Sequence, residues 1–357
     1  MRHIFKWTKV TSLDSMIADI LDNCKKVSML YDDLIYGKTE ITDPVILALL
    51  ESFAMQRLKG VDQAGYFEPF FPGTRLSRFE HSMGVYLLLR QFGAEISEQI
   101  AGLIHDVSHS VFSHCADYVF SEGSQKEQNH QDNIFDSFVR KTEIPAILMK
   151  YGFNLEYILD DKNFPLKEKD LPDICADRID YSLRTVWCYR EYAPEQAKKI
   201  KTILANLDVK GGQWIFVDYQ SAQAFADLFF HANKYFYSNI ESAVMFRATG
   251  DYLKYALDKK YIMKGDLYST DFEVLQKINA HMKDDLMLQN FWARMNNEVN
   301  YKNDPNDYDA QVFCKSRVID PLCHSNGRIM RISEINPAWK EVVKEDMRPK
   351  EYFLKFN

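Results

Sequence analysis

The apolar positions of this chain recur mainly with a helical period. After Thr42, Asp43 and Pro44, apolar side chains are spaced at i, i+3, i+4 and i+7, as on one buried helix face. A hydroxyl or carboxylate cap before a first-turn proline is typical of a helix start. The pattern therefore predicts a helix that begins at residue 44. Its apolar stripe includes Ile46, Leu49, Leu50 and Phe53.

Comparable patterns predict further helices along the chain. Pro69, Pro72 and Gly73 break an aromatic segment, which indicates a loop over residues 67–74. Helical patterns follow at 78–92, from a cap at Ser97 to about 104, in a short piece through 118, around Asp177, and over 220–257.

Two segments favour strands instead. Residues 36–42 predict a short turn and strand, with Gly37 in the turn. Residues 312–319 and 328–332 alternate around Ser325-Asn326-Gly327, which predicts a β-hairpin. We therefore expect an all-α bundle over residues 1–260. A small mixed α/β C-terminal appendage that contains the hairpin is expected over 261–357.

Composition narrows the class of protein. The 357 residues are 46% apolar and 27% charged, with a net charge of −7, which excludes disorder and makes binding to long nucleic acids unfavourable.

Residues 1–12 lack the apolar core of a secretion signal, and no uninterrupted apolar run reaches membrane-spanning length. Six dispersed cysteines without a C-x-x-C pair indicate reduced thiols. We expect a cytoplasmic protein. The cysteines are Cys24, Cys115, Cys175, Cys188, Cys314 and Cys323.

The histidines are clustered. Five of the nine lie within residues 81–130, where an even distribution would place about one, and such a cluster is a first indication of a metal or acid–base site. The surrounding segments read RFEH, AGLIHDVSH, FSHCAD and, later, ADRIDY. Together they closely resemble the H…HD…D signature of HD-domain phosphohydrolases, specifically the deoxynucleotide triphosphohydrolase branch. The resemblance extends over about residues 36–260.

The resemblance implies a helical HD bundle and a divalent metal (Mg, Mn, Fe, Ni or Zn). Two imidazoles and two carboxylates suit such an ion, which can polarise a phosphoryl group and lower the pKa of a bound water. Asp180, three residues after Asp177 on roughly the same helix face, is interpreted as a carboxylate that supports a ligand. The implied ligands are His81, His105, Asp106 and Asp177.

The resemblance also implies residues for proton transfer. A histidine backed by a carboxylate suits transfer to a leaving alkoxide or from an attacking water. The alternative is that His109 and His114 only buttress the helix after His105. The family usually has His-Glu where this chain has His130-Gln131. The implied catalytic residues are His109, His114, Asp117 and His130.

Substrate contacts are implied at four positions. Arg78, Arg178 and Tyr181 match phosphate-contacting residues, and Gln63 matches a position near the sugar. An arginine fork binds phosphate oxygens bidentately. The alternative for either arginine is an ion pair within the protein.

Several positions depart from the triphosphohydrolase branch. Thr185 stands where the branch has an Asp that reads the sugar 3′-hydroxyl, and Tyr235-Phe236-Tyr237-Ser238 lacks a phosphate-binding cation. The leading prediction is metal-dependent hydrolysis of a deoxynucleoside triphosphate to nucleoside and triphosphate. The alternatives are a phosphomonoesterase or phosphodiesterase on another nucleotide, and a non-catalytic nucleotide-binding regulator. The expected partners are a small-molecule nucleotide and further copies of the chain in a homo-oligomer.

Overall fold

A computed structural model describes residues 27–120 and 124–357. The predictions for the N-terminal residues 1–12 and for Cys24 lie outside these described residues. The five other cysteines are unpaired thiols, as their spacing predicted.

Helices form most of the described structure. The predicted helix that begins at Pro44 is present, with proline in its first turn and an almost wholly buried apolar face. The helices are α1 (Pro44–Glu51), α2 (Phe53–Arg57), α3 (Arg78–Gln91), α4 (Ile96–Ile104), α5 (His130–Val139), α6 (Ile144–Lys150), α7 (Leu155–Leu159), α8 (Ala176–Cys188), α9 (Pro194–Ala197), α10 (Ile200–Ala205), α11 (Tyr219–Ala232), α12 (Ile240–Asp258), α13 (Asp271–Asn279), α14 (Leu286–Met295), α15 (Ile332–Ile335) and α16 (Pro337–Asp346).

Within the described residues, three small sheets qualify the all-α prediction. An antiparallel pair β1–β2 precedes the bundle, a four-stranded sheet has the order β3-β4-β7-β8, and a three-stranded sheet has the order β5-β9-β6. The described structure is therefore mainly helical, with more strand than we predicted. The strands are β1 (Met29–Asp33), β2 (Gly37–Ile41), β3 (Leu207–Lys210), β4 (Gln213–Phe216), β5 (Tyr301–Asn303), β6 (Ala310–Cys314), β7 (Leu322–Ser325), β8 (Arg328–Arg331) and β9 (Lys350–Phe356).

The predicted C-terminal hairpin exists, but its first strand was assigned wrongly. β7 and β8 pair around Asn326 and Gly327, which both have positive φ angles and so form the tight turn that the sequence indicated. The alternating segment 312–319 does not pair with β8. Its strand β6 instead pairs with β9, far along the chain. The local alternation of residues cannot indicate a partner strand that is distant in sequence.

The C-terminal region shares its core with the bundle. β7 pairs in parallel with β4, and Val318, Ile319 and Trp339 belong to the same apolar cluster as Phe225 and Phe229 of α11. The division at residue 260 stays a prediction, although the segments on either side of it are packed together. Within the described ranges, no helix combines the length and apolarity needed to cross a bilayer.

Candidate metal centre and substrate cleft

His81 lies on the buried side of α3. A reciprocal cap begins this helix, because the Ser77 hydroxyl accepts from the Glu80 amide while the Glu80 carboxylate accepts from the Ser77 amide. α3 packs against α4 and α8. The cap sets the start of the helix, and the packing brings the imidazole of His81 to the point where the three helices meet.

Two further elements deliver the other predicted ligands. His105 and Asp106 directly follow the last residue of α4, and Asp177 is in the first turn of α8, where the helix dipole favours a negative charge. Because α4 ends and α8 begins beside α3, residues that are far apart in the sequence meet at one site.

The imidazoles of His81 and His105 point at one another. Their Nε2 atoms are 3.2 Å apart. Each Nδ1 has an acceptor-only partner, Oδ2 of Asp180 at 2.8 Å and the carbonyl oxygen of Gly102 at 2.7 Å. In the neutral form, each ring therefore carries its single proton at Nδ1, where it is donated to that acceptor. The Nε2 atoms then keep their lone pairs, and the two lone pairs face the same point. This arrangement suits a bound cation.

Two carboxylates surround the same point. Oδ1 of Asp177 is 2.9 Å from Nε2 of His81 and 3.4 Å from Nε2 of His105. The Asp106 oxygens are 3.5 and 3.6 Å from the same nitrogens. Burial alone would lower the pKa of His81, but its hydrogen bonds to Asp177 and Asp180 outweigh that effect and raise the pKa to about 9. The carboxylates therefore stabilise positive charge in this cluster, and a bound divalent ion would supply that charge.

Asp180 lies behind the cluster rather than in it. Its Oδ2 accepts from His81 Nδ1, and both of its oxygens accept from the guanidinium of Arg184. Arg184 also pairs with Asp33 of β1 at 3.1 Å, and all three side chains are almost completely buried. This ion-pair chain holds the His81 ring in orientation, as partners of metal-ligating histidines do.

Arg78 does not present a free fork to a ligand. Its Nη1 donates to Oδ2 of Asp106 at 2.6 Å, its Nε to the hydroxyl of Ser113 and its Nη2 to the carbonyl of Gln63. Burial by itself would raise the pKa of Asp106, but the charge of Arg78 dominates and holds the pKa well below its ordinary value. Arg78 therefore orients Asp106 while it lines the cleft, and its phosphate contact stays a prediction.

Arg178 is similarly engaged. Its Nη1 donates to the carbonyl oxygens of Lys169 and Asp173, and its Nη2 pairs with Glu168 at 3.2 Å. The guanidinium therefore organises the segment before α8 while it lines the cleft, and its phosphate contact stays a prediction. The sequence could not indicate these protein partners, because backbone carbonyl partners are set by the loop path.

His109 and His114 both line the cleft beside the cluster. Their rings are in edge-to-face contact with centroids 5.2 Å apart. Nε2 of His109 is 3.2 Å from Oδ1 of Asp106, and Nδ1 of His114 is 3.6 Å from Oδ2 of the buried Asp117. Burial lowers the pKa of both histidines, which keeps the rings neutral near pH 7.

His130 is linked to these residues through Asp117. Among the described residues it does not line the cleft. Its ring stacks on Phe120 at 4.8 Å, its Nε2 is 3.0 Å from the Tyr268 hydroxyl, and its amide donates to Asp117. His130 thus supports the Asp117 carboxylate behind His114, and its catalytic role stays a prediction.

The cluster opens into a cleft of about 610 Å³. Gln63, Tyr181 and Thr185 line it, as do aromatic side chains. It also contains four basic residues that the sequence reasoning did not single out. These are Lys167, Lys169, Lys315 and Arg317.

Comparisons with known proteins agree with the architecture. A model of the HD domain matches residues 78–184. Two solved structures share the fold: a hypothetical protein from Aquifex aeolicus, with a TM-score of 0.67 and 17% identity over 92% of this chain and 96% of that one, and a phosphohydrolase from Bacteroides thetaiotaomicron, with a TM-score of 0.63 and 16% identity over 91% and 99%.

Sequence relatives extend this result. The uncharacterized protein YdhJ of Bacillus subtilis is 35% identical over 85% of this chain and 91% of its own length. The metal-dependent phosphohydrolase cns2 of Cordyceps militaris is 37% identical over half of each chain. The deoxynucleoside triphosphate triphosphohydrolase SAMHD1 of Mus musculus is 31% identical over 34% of this chain and 21% of its own length. This chain belongs to the HD-domain family of metal-dependent phosphohydrolases.

Proposed function

We propose that this enzyme hydrolyses a deoxynucleoside triphosphate to nucleoside and triphosphate. The observation that carries the proposal is the His–Asp cluster at the wall of a cleft of about 610 Å³, a volume in the range of small-molecule sites. Partial similarity to a triphosphohydrolase supports the same substrate class. The complete cluster argues against a regulator, which has no need of four converging ligands.

In this proposal His81, His105, Asp106 and Asp177 hold the divalent ion. The ion would supply Lewis-acid polarisation of a phosphoryl oxygen. The protein's own contribution is orientation, since Asp180 holds the His81 ring and Arg78 holds Asp106. These partners limit the rearrangement required when a ligand binds.

His114 is the proposed proton-transfer residue, with Asp117 as its orienting carboxylate. Release of a nucleoside requires that a P–O bond break and that the 5′-oxygen gain a proton, while water supplies the new oxygen on phosphorus. A buried neutral imidazole near a carboxylate can accept the proton of water and return it to the leaving oxygen. His109, beside Asp106, is the second candidate.

A second candidate function is hydrolysis of a nucleotide monophosphate ester. The observation that favours it is that Arg78 and Arg178 are both engaged by protein acceptors, which leaves fewer cations for a three-phosphate chain. A monophosphate would need fewer of them.

A product assay separates these reactions. Each deoxynucleotide and ribonucleotide is incubated with Mn²⁺ or Mg²⁺, and the products are resolved by ion-exchange chromatography. Nucleoside plus inorganic triphosphate supports the first proposal, whereas orthophosphate from a monophosphate supports the second. Absence of all turnover refutes both.

A pair of carboxylate variants assigns any activity to this site. Asp177→Asn should abolish turnover, whereas Asp170→Asn should retain it, because Asp170 lines the same cleft but is outside the metal cluster. Equal activity in the two variants would mean that the turnover arises elsewhere.

A further inference from the structure

Two basic residues follow strand β6 and face the cleft from the C-terminal region. Burial alternates along residues 312–318, so Lys315 and Arg317 share one face while Ser316 between them is buried on the other. Both basic side chains line the cleft. The Ser316 hydroxyl is held by Asn233 and by the backbone of Asp346. The intervening residue therefore anchors the segment and fixes the direction of its two neighbours.

Neutral acceptors hold both side chains. Nζ of Lys315 donates to the carbonyl of Glu127 at 2.7 Å, and Nη2 of Arg317 donates to the side-chain oxygen of Gln128 at 3.0 Å. Neither cation has a carboxylate oxygen within 4.0 Å anywhere in residues 27–120 and 124–357. The ion pairs found there include no partner for either residue.

Three other cations of the cleft differ in this respect, whereas Lys169 has no ion pair within the described residues. Lys167 pairs with Asp161, Arg178 with Glu168 and Arg78 with Asp106. Their charges are therefore already offset by the protein. Lys315 and Arg317 have no such ion pair in the described residues, although Asp132 and Glu127 lie close enough to act electrostatically on Lys315.

The proximity of these two positive charges has an energetic cost to the folded protein. Burial, together with the neighbouring charge of Arg317, lowers the pKa of Lys315 to about 8. Two adjacent, partly buried like charges destabilise each other unless an anion lies between or beside them. Arg317 also acts electrostatically on His114 and Tyr181, which line the same cleft as the metal cluster. An anion bound by the pair would thus lie in the substrate space.

We propose that Lys315 and Arg317 form the phosphate-binding pair of this enzyme and take the polyphosphate chain of its nucleotide substrate. The assignment rests on the proposed function for the identity of the substrate. The guanidinium suits two phosphate oxygens and the ammonium a third. The pair adds two cations to those of Arg78 and Arg178, whose charges are already offset by Asp106 and Glu168.

Calorimetric binding of inorganic triphosphate tests the pair without turnover. The divalent ion is kept in excess over triphosphate so that chelation does not strip the protein. Lys315→Gln and Arg317→Gln should each weaken triphosphate binding about tenfold, the loss of one charge-assisted hydrogen-bonding group. The control Lys340→Gln removes an equal charge from an exposed residue of α16 and should bind like the parent.

The outcomes separate this inference from the proposed function. The assignment of Lys315 and Arg317 as the phosphate-binding pair would be refuted by either of two results. One is that both variants bind triphosphate within twofold of the parent, and the other is that the parent does not bind triphosphate. Parallel losses of metal content or of the unfolding midpoint would also refute the assignment, because they would indicate that the side chains only fasten residues 127–128. If the variants lose triphosphate binding but the enzyme releases triphosphate from no nucleotide, the proposed function is refuted and the assignment of the pair stands. If the enzyme releases triphosphate and the variants bind it like the parent, the assignment of the pair is refuted and the proposed function stands.

Discussion

Replacing Gly84 by alanine tests whether the ion-pair chain behind His81 controls the metal centre. Gly84 lies on α3, where an added Cβ would overlap Oδ1 of Asp180 and Nη2 of Arg184 and would lie 2.5 Å from Cγ of Asp180. Those atoms belong to an ion pair that is at most 1% exposed. The added methyl therefore cannot be accommodated unless the buried pair moves.

The expected free energies have opposite signs. Alanine gains about 0.5–1 kcal/mol over glycine within a helix, whereas overpacking a tight core costs about 1–3 kcal/mol. Separation of the buried pair adds to that cost, up to about 3–5 kcal/mol if one charge loses its partner. We therefore expect a net loss in the free energy of unfolding of up to about 2.5 kcal/mol if the pair shifts intact, and of about 3 kcal/mol or more if it separates. Because Asp180 orients His81, metal affinity should fall about 10–100-fold.

Urea unfolding of the chelated protein measures the first effect without a contribution from bound metal, and competition titration measures the second. Gly265→Ala is the matched control, because its added Cβ would meet no atom within 4 Å and its φ is not positive. We expect the control to unfold like the parent. A Gly84→Ala variant with parental stability and a metal affinity within threefold of the parent would refute the reasoning.

Three further predictions follow from the same geometry. Asp177→Asn should lose most bound metal while Asp180→Asn retains more, as measured by elemental analysis; the reverse order would exchange their roles. Burial, with the charge of Asp271, raises the pKa of Asp62 to about 7, so the folded state loses stability as pH rises from about 4 through 7. Asp62→Asn should flatten this decline in urea unfolding at about pH 5 and pH 8, and an unchanged slope would contradict the assignment. Because Thr185 leaves no buried carboxylate to be desolvated, kcat/KM should differ by no more than about tenfold between a deoxynucleotide and its 2′,3′-dideoxy analogue; rejection by about a thousandfold would place recognition of the hydroxyl at another residue.

The helices around the centre could be predicted because their signals are local. Pro44 marks one helix start and the pattern of residues 78–92 indicates a second helix, and both helices are present. The choice of Asp177 over Asp180 remains a prediction, and the geometry supports it because their carboxylates lie on opposite sides of the His81 ring. Spacing alone placed the two aspartates on one helix face and did not separate them.

The protein partners of Arg78, Arg178 and His130 could not be predicted from the sequence, for a common physical reason. A side chain's type indicates which bonds it can form, but its partners depend on which backbone and side-chain groups the fold places beside it. Arg78 contacts Ser113 and Asp106, about thirty residues away along the chain, while His130 is next to Tyr268. The pattern of neighbouring residues does not specify contacts between segments so far apart in the chain.

The sequence by itself determined the helical class, the reduced cysteines of the described residues, and the presence of a His–Asp set suited to a divalent metal. These properties follow from residue type, caps and short-range periodicity. The tertiary structure alone decided that β6 pairs with β9, that Arg78 and Arg178 have protein partners, and that Lys315 and Arg317 reach the cleft. Each of these depends on contacts between distant segments, where burial and competition among partners select one arrangement from many that the chain's local preferences allow.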